Sequence, residues 1–187
     1  MNWVSPKNAM ITESPYRAIF TYGTDNQRRK MVLQKDITNT ETYETISTRY
    51  YHGAYEKLEQ LDMVTNEWHT YELTYIAGGD GLCAIHVKTD GNSGELYYVY
   101  KDHLGSILKL TNSDVSQEWE QSFDAFGRYR DPDTWVVYDS TPSEGGVFDP
   151  DAIDMPPWFT RGYTGHEHLR EFDLINMNGR LYDPILG

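Results

Sequence analysis

Short runs of alternating polar and apolar residues, separated by Gly, Asn and Asp, constrain the fold of this chain most strongly. Such runs occupy 16–23, 28–35, 41–51, 67–77, 82–88 and 95–101. Side chains of a β-strand alternate between two faces, so a period of two is typical of half-buried strands. The intervening segments GGDG (78–81) and GNSG (91–94) contain residues that tolerate positive φ in tight turns. The sequence therefore predicts an all-β protein of consecutive antiparallel β-hairpins.

Composition and glycine spacing support this class. Aromatic residues make up 14% of the 187 residues, and 15 residues are Tyr, which is enriched in strands. The turn glycines Gly81, Gly105 and Gly127 recur roughly every 20–25 residues, with one hairpin per repeat. This spacing is typical of a β-solenoid or a spiralling sheet of hairpins. We therefore expect one curved, twisted sheet.

Charge and hydropathy exclude several classes of partner. The net charge is −13, so the chain repels phosphate backbones and we expect no nucleic-acid partner. No run of about 18 apolar residues exists, so we expect no membrane insertion. The first residues, MNWVSPKNAM, lack the basic start and apolar core of a signal peptide. The single cysteine, Cys83, can form no intrachain disulfide. Neither the N-terminal sequence nor the single cysteine predicts where the protein is located.

One segment, 139–158, interrupts the strand pattern. It contains four Pro, five acidic residues and no basic residue, which predicts an irregular, solvated loop. Asp149, Asp151 and Asp154 raise a calcium alternative. Their spacing lacks the glycine at the sixth position and the glutamate at the twelfth position of an EF-hand loop, so we expect no cofactor here.

The segment TGHEHLREFDL (164–174) raises a metal alternative. In a strand His166 and His168 would share a face and could form the centre of a metal-dependent hydrolase. The candidates for a third ligand are Glu171, Asp173 and His103. The His-x-His spacing is weakly specific, because structural zinc sites mostly contain cysteines or a second histidine pair. We favour structural histidines, with Gly165 making the turn before a strand.

The sequence DHLGS (102–106) contains a candidate acid–base pair, Asp102 and His103, and a candidate nucleophile, Ser106. Neighbours in a strand face opposite sides, so the pair requires a bend, and no G-x-S-x-G motif surrounds the serine. A hairpin turn fits better. Asp102 can accept the amides of the turn, and Gly105 can supply a positive φ.

The abundance of Tyr and Trp gives another alternative, a glycan-binding β-module, because aromatic faces stack on sugar rings. The aromatic residues are spread along the chain rather than clustered. Cross-strand aromatic pairs ordinarily hold strands in register, so we favour a structural role for them.

Four motifs, in order, resemble a known family. DHLGS (102–106), FDAFGR (123–128), TGHE (164–167) and RLYDPILG (180–187) are similar to the Rhs repeat-associated core of Rhs/YD-repeat proteins. The upstream segments YGTDNQRRK and RYYHGAYEK resemble YD repeats. The resemblance covers nearly the whole chain and divides it into repeat-like hairpins (1–94) and a core (95–187).

The resemblance implies structural roles for the motif residues. They are Asp102, His103, Leu104, Gly105, Ser106, Asp124, Phe126, Gly127, Arg128, Thr164, Gly165, Glu167, Arg180, Tyr182, Asp183, Pro184 and Gly187. Members of the family wind hairpins into a hollow shell that encloses or presents a C-terminal toxin. They act in interbacterial competition or at the cell surface. The resemblance thus implies that this chain is a segment of a spiral shell wall, from a parent protein that is secreted, surface-exposed or delivered by a secretion system.

The chain departs from the family pattern at its last residue. Members of the family continue past the position of Gly187 with a further Asp-Pro stretch, which helps to form a self-cleaving aspartyl site. An aspartyl protease needs two carboxyl groups that share a proton, so Asp183 alone is expected to be inactive. The resemblance therefore predicts no enzyme activity, with the rest of the shell and its toxin as partners. The exposed strand edges of such a segment also predict a homo-oligomer.

Overall fold

The computed structural model describes residues 8–13, 15–138, 154–178 and 180–187. The chain is all-β, as predicted. Within the described ranges, its largest sheet has ten antiparallel strands, each hydrogen-bonded to the next strand in sequence. These strands are β1 (Asn8–Glu13), β2 (Tyr16–Tyr22), β3 (Arg28–Asp36), β4 (Tyr43–His52), β5 (Tyr55–Asp62), β6 (Glu67–Gly78), β7 (Gly81–Thr89), β8 (Glu95–Lys101), β9 (Ile107–Asn112) and β10 (Glu118–Glu120). The prediction of consecutive hairpins is confirmed.

Among the described residues that follow, the structure has two smaller sheets and two short helices. The first sheet pairs β11 (Ser122–Phe123) with β12 (Tyr129–Arg130), and the second contains β13 (Glu167–Leu169), β14 (Leu174–Asn176) and β15 (Leu181–Tyr182). The 3₁₀ helices are Tyr163–Gly165 and Arg170–Phe172. Among the described residues, no helix is long and apolar enough to cross a membrane.

The start of β4 differs from its predicted position. The alternation of residues predicts a strand from 41, but β4 begins at Tyr43. The carboxylate of Asp36 accepts the backbone amides of Thr38, Thr40 and Glu41, which holds these residues in a loop. Side-chain capping of this kind competes with strand pairing for the same amides.

Contacts divide the chain into two compact units. The first contains Met1–Ala77 and Ile85–Glu95, and the second contains Gly78–Ala84 and Leu96–Gly187. The family motifs divide the chain differently, into repeat-like hairpins (1–94) and a core (95–187). This division describes the repeat content of the sequence and stays a prediction.

One face of the sheet in the first unit is buried. Directly opposed residues point to the same side of a sheet, and the register places Phe20, Met31, Arg49 and Leu58 in one such row. All four are buried. The Arg49 guanidinium donates to Glu56 at 2.8 Å, so the charge in this row is paired.

The core of the second unit is aromatic. It includes Phe123, Tyr129, Trp158, Phe159 and Phe172. The ring of Trp158 lies 4.9 Å from that of Tyr97, measured between centroids, and contacts Phe159 edge-on.

The prediction of a solvated loop over 139–158 is wrong at the end of the segment. Met155 and Trp158 are buried, at 7% and 5% exposure, because this apolar stretch fills the aromatic core. Residues 139–153, including Asp149 and Asp151 of the calcium alternative, lie outside the described residues. Asp154 is described and exposed.

Candidate functional site

Two turns of the same geometry carry the first two family motifs. In the first, the N–H of Asp102 donates to the Ser106 carbonyl at 3.0 Å, and Gly105 donates to the Asp102 carbonyl at 3.1 Å. Residues 124–128 repeat both bonds at 3.0 and 3.2 Å. The αL position is occupied by Gly105 (φ 84°) and Gly127 (φ 95°), where glycine avoids the cost of a β-carbon. The prediction of turns at both glycines is confirmed.

The aspartate of each turn binds backbone amides. Asp102 Oδ1 accepts the amides of Leu104 and Ser106 at 2.9 and 2.8 Å. Asp124 Oδ1 accepts the amides of Phe126 and Arg128, both at 2.9 Å. The capping role predicted for Asp102 is therefore confirmed.

His103 and Asp124, one in each turn, have separate environments. His103 is exposed, at the tip of a turn whose amides are bound to Asp102. Asp124 additionally binds the guanidinium of Arg128 through Oδ2 at 2.6 Å. The pKa of Asp124 is lowered because the hydrogen bonds from Arg128 and Phe126 outweigh the effect of burial, which acts in the opposite direction.

The two turns meet the third motif, and together they form what we call the motif hub: residues 102–106, 124–128 and 162–168. Ser106 Oγ accepts the amide of Thr164 at 3.1 Å. The Ile107 amide donates to the Gly162 carbonyl at 3.1 Å. The Tyr163 hydroxyl donates to the Ala125 carbonyl at 2.8 Å. Segments far apart in sequence are thus joined through backbone groups, and Ser106, 1% exposed, bridges two of them.

Gln121 adds a further link at the edge of the hub. Its side-chain amide donates both hydrogens, to the carbonyl of Ile107 at 2.7 Å and to that of Arg161 at 2.9 Å. The residue is buried and satisfies two carbonyls that would otherwise lose their bonds to water.

His168 lies at the centre of the hub as a buried neutral imidazole. Its Nε2 accepts the backbone amide of Tyr163 at 3.0 Å, which requires this nitrogen to be unprotonated. The ring centroids of Phe123 and Tyr129 lie 5.2 and 4.6 Å away. Burial lowers the pKa of His168 to about 3, with smaller contributions from the nearby charges of Arg170 and His166.

His166 has a different environment from His168. The strand β13 begins at Glu167, and His166 lies just after a turn in which Thr164 has φ 49°. The expectation that both histidines occupy one strand is therefore wrong. His166 Nδ1 is 2.8 Å from Thr164 Oγ1, and burial lowers the pKa of this imidazole.

The remaining metal candidates lie in turns. Glu171 belongs to a 3₁₀ helix, and Asp173 follows it in the αL conformation. Within the part of the chain that the structure describes, no three His, Cys, Asp or Glu side chains form a group that could hold a metal ion. The Nε2 atom of His168 is used by the backbone. The geometry therefore favours structural histidines.

The fourth motif forms another aspartate-capped turn. Tyr182 pairs with Ile175 across β14 and β15. Asp183 Oδ1 accepts the amides of Ile185 and Leu186 at 2.8 and 3.2 Å, and Gly187 has φ 85°. The carboxylate of Asp183 is therefore a capping group. Among the other motif residues, Arg180, Leu104 and Phe126 are exposed, whereas Glu167 and Pro184 are buried.

Gly162 is a hub residue that sequence reasoning missed. A β-carbon at this position would lie 2.5 Å from Cζ of Phe123 and 2.8 Å from Nε2 of His168. Only glycine leaves room for the two rings. The signal in the sequence is the pair of glycines in RGYTG, of which only Gly165 was assigned a turn.

The hydrogen bonds of the hub join side chains mainly to backbone groups. Its carboxylates accept amides, its serine accepts an amide, and its buried imidazole does the same. Comparison with protein-family models and with curated protein sequences finds no match. The resemblance of the four motifs to the Rhs repeat-associated core therefore stays a prediction.

Proposed function

We propose that this chain is a non-catalytic wall segment of an Rhs/YD-repeat shell, which encloses or presents a C-terminal toxin in interbacterial competition or at the cell surface. The observation that carries the proposal is the strand order of the large sheet. Each strand pairs with the strand that follows it in sequence. A wall that grows by the addition of hairpins requires this order.

The hydrogen bonding of the family motifs supports a structural role. Asp102, Asp124 and Asp183 each accept two backbone amides. His168 accepts the amide of Tyr163. Acids that share a proton, as in an aspartyl protease, face each other rather than cap turns. These contacts fix individual turns, and the hydrogen bonds from Thr164 to Ser106 and from Tyr163 to Ala125 hold separate turns of the chain together, as a wall requires.

Self-association through strand edges is part of the proposal. Among the described strands of the large sheet, β1 and β10 are the first and the last, and each pairs on one side only. An edge strand presents amides and carbonyls that can pair with another chain. Most residues of β1 are exposed. We therefore expect a dimer or a larger assembly.

Size-exclusion chromatography with light scattering tests this association at roughly tens of micromolar protein. Replacement of Met10 by Lys places a charge on β1, where Met10 is 62% exposed, and should shift the protein toward monomer. Met63→Lys, at an exposed position in the turn after β5, is the control and should leave the assembly unchanged. A monomeric wild-type protein would contradict self-association.

Protease protection of the complete natural protein tests enclosure. A passenger inside a shell resists an added protease, and disruption of the wall exposes it. Gly127→Val combines a φ of 95° with a β-carbon 2.7 Å from Cδ1 of Tyr163, so it should open the wall. Gly79→Val, where no atom lies within 4 Å of a β-carbon, is the control. Equal cleavage of the passenger in the wild type and in Gly127→Val would overturn enclosure.

A further inference from the structure

Carboxylates are concentrated in the walls of a cleft of 380 Å³ in the second unit. The cleft lies between β10 and the hairpin of residues 129–138, and no residue of the motif hub lines it. Its walls include Glu118, Trp119, Glu120, Gln121, Asp131 and Asp154. A volume of this size is in the range of small-ligand sites. The cleft can therefore hold a small organic molecule or the end of one long side chain.

Gln121 gives the cleft wall a buried hydrogen-bond acceptor. Its Nε2 donates both hydrogens, to the carbonyls of Ile107 and Arg161, which fixes the orientation of the side-chain amide. Neither of these two residues lines the cleft, so the opposite end of the amide, Oε1, is directed toward it. Among the described residues, no donor lies within hydrogen-bond distance of this buried oxygen. Buried polar atoms are ordinarily paired, so Oε1 points to a donor that another molecule supplies.

Two of the wall carboxylates have no cationic partner. Lys109 Nζ pairs with Glu118 Oε2 at 2.8 Å and with Glu120 Oε1 at 2.9 Å, so these two glutamates share one positive charge. Within the part of the chain that the structure describes, Asp131 and Asp154 form no ion pair. Because the chain also has a net charge of −13, the cleft attracts a cation.

The guanidinium of Arg130, which also lines the cleft, does not cancel this charge. Its Nε donates to Ser122 Oγ at 2.8 Å, and its central carbon lies 4.4 Å from the centroid of the Trp135 ring. Trp135 is not a wall residue, so the stacked face of the guanidinium lies outside the cleft. With Arg130 and Lys109 counted against the four wall carboxylates, two negative charges remain in excess.

The cation that fits these walls is an organic ammonium group. Within the described ranges, no three His, Cys, Asp or Glu side chains form a group that could hold a metal ion. An ammonium group carries the charge that carboxylates bind and the N–H donors that Gln121 Oε1 accepts. Aromatic rings also attract cations, and Trp119 and Tyr138 both line the cleft. A quaternary ammonium has the same charge but no N–H donor.

We propose that this cleft binds an alkylammonium group, carried by a free diamine or by a lysine side chain. Asp131 and Asp154 balance its charge, and Gln121 Oε1 accepts one of its N–H hydrogens. The ring of Trp119 packs against the attached methylene groups. The site is independent of the wall role proposed above, because no residue of the motif hub takes part.

Isothermal titration of the full chain with putrescine and with Nα-acetyl-lysinamide tests the proposal, at about 0.05 M salt, where surface charges are weakly screened. Each primary amine is compared with its quaternary counterpart, in which methyl groups replace the ammonium hydrogens. At least one primary amine should bind with a dissociation constant of about 10 mM or below, and at least about fivefold more tightly than its counterpart. Binding of putrescine alone would identify a free diamine as the ligand, and binding of the lysine amide would identify a side chain.

A pair of variants separates the cleft from the general charge of the chain. Asp154→Asn removes one wall carboxylate and should weaken binding at least about threefold. The melting temperature should stay the same, because Asp154 is exposed. Glu67→Gln removes the same charge at an exposed position of β6 in the first unit, and should bind as the wild type does.

The proposal is overturned if neither primary amine binds at about 10 mM, or if the quaternary counterparts bind as tightly as the primary amines. It is also overturned if Asp154→Asn binds as the wild type does. Equal weakening in Asp154→Asn and Glu67→Gln would assign the attraction to the net charge of the chain and would contradict a site in the cleft.

Discussion

His168 Nε2 accepts the backbone N–H of Tyr163 at 3.0 Å, inside a core that excludes water from the imidazole. A protonated imidazole has no acceptor nitrogen, so protonation breaks this bond and places a charge in an apolar site. Burial accordingly lowers the pKa of His168 to about 3. This contact makes the histidine a support for the turn of residues 163–165, and it makes the fold sensitive to acid.

The first prediction is a loss of stability in mild acid. An unfolded histidine takes up a proton near pH 6.5, whereas folded His168 stays neutral to about pH 3. The unfolded state therefore binds more protons in this window, and the free energy of unfolding falls with decreasing pH, by up to about 1.4 kcal/mol per pH unit. The lowered pKa of His166 acts in the same direction.

Another histidine, His69, does not mask this effect. The hydrogen bond to Asp90 raises the pKa of His69. Its contribution to the free energy of unfolding is therefore fully present below about pH 6.5, and is lost only as the pH rises through the pKa of the folded state. Urea unfolding at several pH values between about 5 and 6.5 measures the slope. His168→Gln keeps an acceptor but cannot titrate, and should remove most of the slope, whereas His103→Gln at an exposed position should not. An unchanged slope in His168→Gln would contradict the assignment.

The second prediction concerns Gly162, whose missing side chain makes room for two rings. In Gly162→Ala the β-carbon overlaps Phe123 and His168, and the free energy of unfolding should fall by about 1–3 kcal/mol. Gly79→Ala is the matched control, because no atom lies within 4 Å of the added carbon and its φ is not in the left-handed region. Chemical denaturation of both variants decides the matter: equal stability would show that the hub is not closely packed at this point.

The third prediction separates a turn cap from an acid–base pair. Asp102→Ala removes the acceptor of two amides and should cost about 1–2 kcal/mol. His103→Ala should leave stability unchanged, because this side chain is exposed. If Asp102 and His103 were partners, the two substitutions would have similar effects and the double variant would not be additive. Denaturation of the three variants measures the coupling.

The fourth prediction is a stabilising substitution in the hairpin between β9 and β10. Val115 has φ 58°, a conformation that is strained for a β-branched residue, and it is 57% exposed. Val115→Asn should raise the free energy of unfolding by about 1 kcal/mol, because Asn accepts the left-handed conformation. Val64→Asn, at an exposed turn position with a negative φ, is the control and should have little effect. A melting temperature of Val115→Asn at or below that of the wild type would contradict the turn assignment.

Local patterns predicted much of the fold. Alternation and turn glycines indicated six of the strands and the hairpin order, and both kinds of signal act between residues close in sequence. The start of β4 was misplaced because the Asp36 carboxylate takes the amides that would have extended the strand. The burial of Trp158 was missed because its partner ring, Tyr97, is distant in sequence.

The candidate site was predicted only in part, for the same reason. The carboxylates of Asp102 and Asp124 accept amides only two and four residues away, within the motifs DHLGS and FDAFGR. The bond from Thr164 to Ser106 spans 58 residues, and the bond from Gln121 to Arg161 spans 40. No periodicity in a single sequence encodes such pairs. The His-x-His spacing left a metal site open as an alternative, because the hydrogen bond from the backbone amide of Tyr163 to Nε2 of His168 cannot be read from the sequence.

The most direct test of a structural, non-catalytic hub is the protonation state of His168, measured by long-range ¹H–¹⁵N NMR during a pH titration with and without zinc. We expect the Nε2 signal to stay that of an unprotonated nitrogen throughout the folded range, down to the onset of acid unfolding, and not to shift when zinc is added. Titration of His168 near pH 6.5, or a zinc-dependent shift of its Nε2, would contradict the account and restore a reactive or metal-binding histidine at the centre of the motifs.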